Sequence, residues 1–522
     1  MGKRKVRWLY GMAAGIFSLI AGFLMLLSVF LHCETNIYTF EMEKTIEPHT
    51  PVLYCGLALI GILLVVLLCA LLQFFMKEEK QAERMRRAIF RGCGAVLFAV
   101  GLCWILFNDC VPTLDQMDSY KEAERIAGFR DEPYDTDYLS SFPRNRGIVL
   151  LMAGVLRLFG DSYFPFRLIN LFAVLVIYGC VCKTTLRMYR NPVVSAAVSV
   201  LFLLCYPLLC YASFLYGTLL AIAFESLGFY AVLALCQTNR KRYAIIAACA
   251  FPLGILMHQS AVIAWIAAVI YLLLKTERRT IVRNLCLGVS SLVLLFAAEW
   301  AVNHVYCGIT GADIHGSSVP ASCTVYMGLT STQGDSGPGS QDGSYTDIFA
   351  ENQNDEEAAN RDALHRISVV LQEYVAGERK LTFFLEKIEY QWLDPTFGAR
   401  KIIKMNDVDE GDPPNSGAFV AFYNSPLRST VFKLSVGVML AMYIGAFGSG
   451  ILTMKRAGSC PAAILPQIYV IGGFLFQLFW ESLSRYCLGY YIWLLPGTVW
   501  AIYTIGQSVK AALPGKTAVA KS

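Results

Sequence analysis

Apolar residues run through this chain in stretches of roughly 15 to 25, each near the length a helix needs to cross about 30 Å of hydrocarbon. They predict spans near 8–31, 52–76, 92–109, 164–186, 193–212, 214–236, 243–257, 260–275, 283–303, 430–453, 461–480 and 487–508, about twelve in all. The pair 243–257 and 260–275 is short enough to be one bent or re-entrant unit. The first stretch follows Lys3, Arg4, Lys5 and Arg7; its length of about 24 residues and the lack of an A-x-A site predict a retained anchor that starts in the cytoplasm, not a cleaved signal.

The polar connections test this count, because short cytoplasmic loops concentrate Lys and Arg. Alternate connections are basic: "KEEKQAERMRRAIFR" from Lys77, "KTTLRMYR" from Lys183, "NRKR" from Asn239, "KTERRTIVR" from Lys275, "MKR" from Met454, and the tail with Lys510, Lys516 and Lys521. All fall on one side, so both termini are expected in the cytoplasm of a multi-pass plasma-membrane protein. The division that follows is 1–109 (three spans), 110–163 (first outer loop), 164–303 (central spans), 304–428 (outer cap) and 429–522 (three spans and a tail).

The two outer connections are too long to be mere links. In 110–163, "GIVLLMAGVLRLFG" from Gly147 is too short for a comfortable span and contains Arg157, which predicts a helix at the outer interface. In the second, "STQGDSGPGSQDGSYTD" (Ser331–Asp347) predicts a flexible loop. Leu364, Ile367, Leu371, Tyr374 and Val375 then follow helical spacing up to Gly377. "LTFFLEKIEYQWLDPTF" pairs an aromatic face with charges until Asp394-Pro395 breaks it. No internal repeat is visible.

Composition adds exclusions. Of 522 residues, 56% are hydrophobic and only 16% charged, so a single soluble core is ruled out. A net charge of +5 gives no argument for nucleic acid. Most of the 17 cysteines lie inside apolar runs and form no disulfide framework or CxxC pattern; Cys33, Cys110, Cys307 and Cys323 fall near outer loops, where one bridge could form. HExxH, GxxxxGK[ST], GxSxG and a Gly-rich dinucleotide fingerprint are all absent, and His304, His315 and Asp313 match no standard metal spacing. A divalent metal is compatible with the chemistry below, but no ligand pattern calls for one.

Ionisable residues at membrane edges are the functional candidates, because a charge there costs several kcal/mol without a partner or water. "PTLDQMDSY" (Pro112–Tyr120) sets Asp115 and Asp118 just past a span that ends at Asn108-Asp109. A carboxylate at a dry boundary can take a proton from a hydroxyl, or it can simply end the span. His258, in "ILMHQSAV", sits at an outer turn. Glu481 and Arg485, in "FWESLSRYCLGYY", are four apart, which allows either a mutual i, i+4 ion pair or an arginine fork offered to a phosphate. Arg167 could snorkel to headgroups or reach a lipid-linked phosphate.

The order of a span, "PTLDQMDSY" and then "YLSSFPRNRGIVLLMAGVLRLFGDSYFPFRLIN" resembles the first outer loop of membrane glycosyltransferases of the GT-C fold, closest to the family 39 group of protein O-mannosyltransferases and bacterial aminoarabinose transferases. "VYMGLTSTQGDSG", "LEKIEYQWLDPTF" and "ESLSRY" are similar to later features of its bacterial branch. The resemblance implies an all-α polytopic fold with interfacial helices and a small outer cap. It also implies transfer of a sugar from a polyprenyl-phosphate donor to an extracytoplasmic glycopolymer, lipid or protein, usually with inversion.

By the same resemblance Asp115 is the catalytic base and Arg485 contacts a phosphate; with the residues read above, Asp118, Arg167, His258, Glu481 and Arg485 are the expected substrate-binding set. Two positions depart from the pattern. Gln116 stands where many relatives have a second acid, and His258 stands near where many have a lysine, which would make its role pH-sensitive. The alternatives are a polymerase or ligase of lipid-linked polysaccharide and a lipid-sugar transporter or flippase; transporters favour repeated halves and midplane charges, which are not seen here.

Overall fold

Hydrocarbon offers no partner for a backbone N–H or C=O, so a chain this apolar is expected to close its hydrogen bonds within helices. The computed structural model describes residues 3–36, 43–108, 112, 115–131, 136–276, 280–313, 317–332, 337–399, 425–456 and 461–512, and it is a helical polytopic bundle. Asp109, Cys110 and His315, singled out above, lie outside the described residues.

Among the described residues eight helices are long and apolar enough to cross a membrane, from Arg7–Phe30 to Pro461–Phe479. The others of the twelve predicted segments are helical but broken or shorter. The segment predicted at 193–212 is Pro192–Leu204 and Tyr206–Ser213, bent by 58°. The uncertain pair is Lys241–Met257, with Pro252 inside it, and Gln259–Leu274. The last predicted span divides into Leu488–Ile492 and Leu495–Ala512.

Burial separates the centre from the rim. Helix Thr218–Thr238 is 78% buried in its most apolar window, whereas Ile281–Thr310 is 11% buried and turns Val289, Val293, Phe296 and Trp300 outward. A departure from an all-helical fold is a small antiparallel hairpin, Leu31–Asn36 with Glu43–Pro48, in register Leu31 to Pro48. The β-branched Ile46 favours it there, and the Cys33 amide extends its reach by bonding the Leu393 carbonyl at 3.0 Å.

The predicted interfacial segment is helix Arg146–Phe159, with one face buried against protein and Leu158 and Phe159 exposed at its end. The predicted cap helix is Glu356–Ala376, closed by Gly377 in the left-handed region (φ +79°). The Ser331–Asp347 stretch is not simply loop. Gly337 and Gly339 take positive φ, the Gly339 carbonyl accepts from the Ser482 amide at 2.8 Å, and Ser344–Glu351 is helical. Cys307 and Cys323 carry free thiols, so no bridge joins them.

Gly217 decides how the start of helix Thr218–Thr238 meets the end of Lys241–Met257. A methyl built on it would stand 1.8 Å from the Met257 carbonyl oxygen, and this close crossing sets the Tyr216 ring against that of His258, 5.9 Å between centroids. Gly217→Ala should push these backbones apart and cost about 1–3 kcal/mol. The expected outcome is a lower unfolding midpoint of the detergent-solubilised protein; Gly154→Ala, whose methyl meets nothing within 4 Å, should leave it unchanged.

Candidate active site

The exit of helix Glu79–Phe107 is pinned before the acids begin. Asn108 donates from Nδ2 to Ser213 Oγ at 3.0 Å, and its carbonyl accepts from Arg167 Nη1 at 2.5 Å. The chain then starts helix Asp115–Ala127 with Asp115 and Asp118 in its first turn, where the exposed amides of a helix N-terminus favour negative charge. Gln116 is buried and accepts from the Leu215 amide at 3.0 Å, tying this helix to the segment after the broken span.

Further along, Tyr120 donates to Asp161 at 2.9 Å, Tyr306 donates to the buried Glu122 at 2.9 Å, and Arg157 donates to the Ile126 carbonyl at 2.6 Å. The acid helix is therefore held at its start, middle and end.

Asp115 faces a cavity of about 380 Å³ whose wall also includes His258, Glu481, Arg144, Glu299 and Tyr345, with Phe296, Met327 and Trp480 as apolar surface. Arg485 lies behind Asp115, its Nη2 4.0 Å from the Asp115 carboxylate. Tyr216 donates to Asn145 Oδ1 at 3.2 Å, and Asn145 Nδ2 donates to the Tyr138 hydroxyl at 2.9 Å, so one wall is a hydrogen-bonded row. Arg144 stacks over Phe142, 5.2 Å from the ring centre, and makes no ion pair with a described residue.

Charge in the cavity is set by burial first. His258 falls from 6.5 to about 3, through burial and then the positive charges of Arg485 and Arg144. It is neutral at physiological pH, its Nδ1 2.7 Å from Ser260 Oγ, so the pH-sensitive role expected for it does not follow. Glu481 is pushed up by burial, opposed by Arg485 and by the Tyr486 hydroxyl that donates to it at 3.0 Å. Tyr345 is raised to about 12, again chiefly by burial.

The cap is fastened to this cavity by Lys387. Its fully buried Nζ donates to the Gly328 carbonyl and, at 2.5 Å, to that of Trp480, the residue before Glu481. Further along the same segment, Asp394 accepts from the amides of Thr396 and Gly398 at 2.9 Å each and from Ser484 Oγ at 2.8 Å. Tyr211 donates to the Phe397 carbonyl at 2.5 Å and Tyr443 to that of Trp392 at 2.6 Å. The aromatic segment before Pro395 is thus a wedge between cap and spans.

Of the residues picked from sequence, Asp115, His258 and Glu481 line one cavity and Arg485 adjoins it. The i, i+4 pairing of Glu481 with Arg485 is not made, because the helix ends at Phe479 and Ser484–Cys487 is a tight 3-10 turn; Arg485 turns to Asp115 instead. Arg167 is buried against Asn108 and the Tyr163 ring, away from the cavity wall, and Asp118 is exposed and also outside it.

Sequence reasoning passed over Arg144, Tyr138, Tyr216, Tyr345 and Glu299. Arg144 lay in the quoted "FPRNRG", and Glu299 is an acid inside an apolar span, the very signal used for the others. Glu225, hydrogen-bonded by Tyr469 at 2.7 Å within the bundle, carried the same signal. Among the described residues no group of three or more His, Cys, Asp or Glu could hold a metal ion.

Fold and cavity together define a helical membrane protein with a charged, half-apolar chamber at one end of its bundle. The model of the family described as dolichyl-phosphate-mannose-protein mannosyltransferase matches residues 147–302, which include His258 and Glu299 but neither Asp115 nor Arg485. The match bears out the resemblance to membrane glycosyltransferases of the GT-C fold.

Among solved structures the chain is similar to the crystal structure of ArnT from Cupriavidus metallidurans bound to undecaprenyl phosphate. The identity is 15%, over 81% of this chain and 78% of that one, with a TM-score of 0.35. No curated protein matches the chain.

Lys387 yields a pH prediction. Burial lowers its ammonium from 10.5 to about 7, against the pull of Glu481. The unfolded lysine keeps its proton up to 10.5 and the folded one releases it near 7, so the unfolded state binds more protons between these values and stability rises with pH across that window. The unfolding midpoint of the wild-type protein should climb from pH 7 towards pH 10, a gain lost again as the pH falls through about 7. Lys387→Met, measured beside it, should lack that slope.

Proposed function

We propose that the chamber transfers a sugar from a polyprenyl-phosphate donor to a hydroxyl-bearing acceptor outside the cytoplasm, with Asp115 as general base. The observation that carries this is the Asp115 carboxylate at the cavity wall, 4.0 Å from Arg485, with the Arg144 guanidinium, which makes no ion pair with a described residue, in the same wall. The family description, which names a mannose carried on dolichyl phosphate, supports the donor class. The alternate basic connections support a chamber on the outer face.

In this reading the acceptor hydroxyl gives its proton to Asp115 as its oxygen bonds the anomeric carbon. The bond from that carbon to the phosphate oxygen breaks, and the phosphate keeps the electron pair. Negative charge grows on the phosphate as the bond breaks, so Arg144 and Arg485 stabilise the transition state more than the bound donor. Arg485 also holds Asp115 in place. Neutral His258 can donate or accept one hydrogen bond but adds no cation, and Glu481 positions the turn through Tyr486.

The test is incubation of membranes carrying the protein with a panel of polyprenyl-phosphate sugars, followed by mass analysis of lipid and surface products. Release of free polyprenyl phosphate with a glycosylated product is the expected result; movement of intact donor across the membrane without release would favour a transporter. Asp115→Asn should lower transfer by roughly 10²–10⁴-fold while the protein stays folded and inserted. Full activity in that variant would remove Asp115 from the role. Arg144→Gln should lower transfer by about 10²-fold, as expected for loss of a cation aimed at the leaving group.

A further inference from the structure

The opposite end of the bundle carries a second cavity that the proposed reaction does not use. Helix Glu79–Phe107 begins there and helix Tyr163–Tyr189 ends there, whereas Asn108 and Arg167, bonded to each other, mark the other ends of the same two helices. From Arg167 to Arg187 the helix climbs about 30 Å, one hydrocarbon thickness. This pocket of about 540 Å³ therefore lies at the far membrane boundary from Asp115.

Its wall gathers six cations, Arg86, Arg87, Arg91, Lys183, Arg187 and Arg190, from two segments about a hundred residues apart. Glu83 pairs with two of them, Arg86 through two bonds of 2.8 and 2.7 Å and Arg87 at 3.1 Å. Arg187 is positioned by Gln237 at 3.0 Å and by the Tyr230 ring, 5.0 Å away. Arg91, Lys183 and Arg190 make no ion pair with a described residue. The floor is apolar: Phe90, stacked on Tyr178 at 5.1 Å, together with Leu186 and Tyr230.

Scattered basic residues would satisfy the charge asymmetry of membrane loops on their own. Here they converge on one concavity with an aromatic floor at the ends of three apolar helices, counting Thr218–Thr238, which carries Tyr230 and Gln237. Guanidinium forks match phosphate oxygens, the apolar floor matches the first methylenes of a lipid, and the depth matches the headgroup layer.

We infer that this pocket binds the phosphate headgroup of an anionic phospholipid from the leaflet opposite the chamber. The lipid would join the Glu79–Phe107 and Tyr163–Tyr189 helices by bridging their unpaired cations.

The experiment uses the full chain in an uncharged detergent, with unfolding midpoint and direct lipid binding as readouts, titrated separately with phosphatidylglycerol, phosphatidylcholine and inorganic phosphate. The comparison variant is Arg91→Gln/Lys183→Gln/Arg190→Gln, which spares Arg86 and Arg187 with their internal bonds. Phosphatidylglycerol should bind and stabilise the wild-type protein where phosphatidylcholine and phosphate do not, and the triple variant should bind it roughly 100-fold more weakly.

Equal effects of phosphatidylglycerol and phosphatidylcholine would overturn the inference, as would undiminished binding by the variant. Stabilisation by inorganic phosphate equal to that by phosphatidylglycerol would replace the lipid with a soluble anion and overturn it too. If the triple variant does not fold, Lys183→Gln alone, at an exposed position, should weaken binding several-fold, and no change there would count against the site.

Discussion

Wherever a span breaks or ends inside this bundle, backbone carbonyls lose their helical partners in a medium that supplies no water. Each left bare would cost several kcal/mol. The protein answers with long side chains from elsewhere in the sequence. Arg167 reaches the Asn108 carbonyl, Asn170 that of Phe214, Lys387 those of Gly328 and Trp480, and Tyr211 and Tyr443 those of Phe397 and Trp392. These bonds give carbonyls at the places where the chain turns a partner from a distant segment. The chamber is built from the turns: Asp115 follows the first, Tyr216 the second, and Glu481 the one after Trp480.

The same economy explains the electrostatics. The chamber's wall holds acids and cations while half its surface is apolar, so each charge acts strongly on its neighbours. His258 gives up its proton under that pressure and leaves the positive charge to the two arginines, which cannot give theirs up. An imidazole at this turn thus does not substitute for a lysine as a charge. Its contribution is shape and one hydrogen bond, with Tyr216 and Tyr486 packed on either side.

The spans were legible because hydrophobic length is a local property, and among the described residues eight of the apolar stretches hold a helix long enough to cross a membrane. Their integrity was less so: the 58° bend after Leu204 depends on how Pro207 and its neighbours pack, not on composition. Asp115, His258, Glu481 and Arg485 drew notice because charge beside an apolar run is conspicuous, and the structure brings them to one cavity or its edge. What the line of letters could not display was direction. It left Arg167 between headgroups and a phosphate, whereas the side chain bonds the Asn108 carbonyl, and it allowed Glu481 and Arg485 either an ion pair or a fork offered to a phosphate, whereas Arg485 faces Asp115. Tyr345 was hidden for the opposite reason, since a Gly/Ser-rich stretch hides a segment whose positive-φ Gly339 sits against Ser482 and Lys387.

Gln116 carries a consequence of its own. A carboxamide has no charge to lose, so the joint it forms with the Leu215 amide keeps the same strength from acid to alkaline conditions. A glutamate there would bring a second negative charge next to Asp115 and make the seating of the acid helix depend on its protonation. With the amide in place, the frame that carries Asp115 is insulated from the proton traffic that the proposed chemistry requires of Asp115 itself.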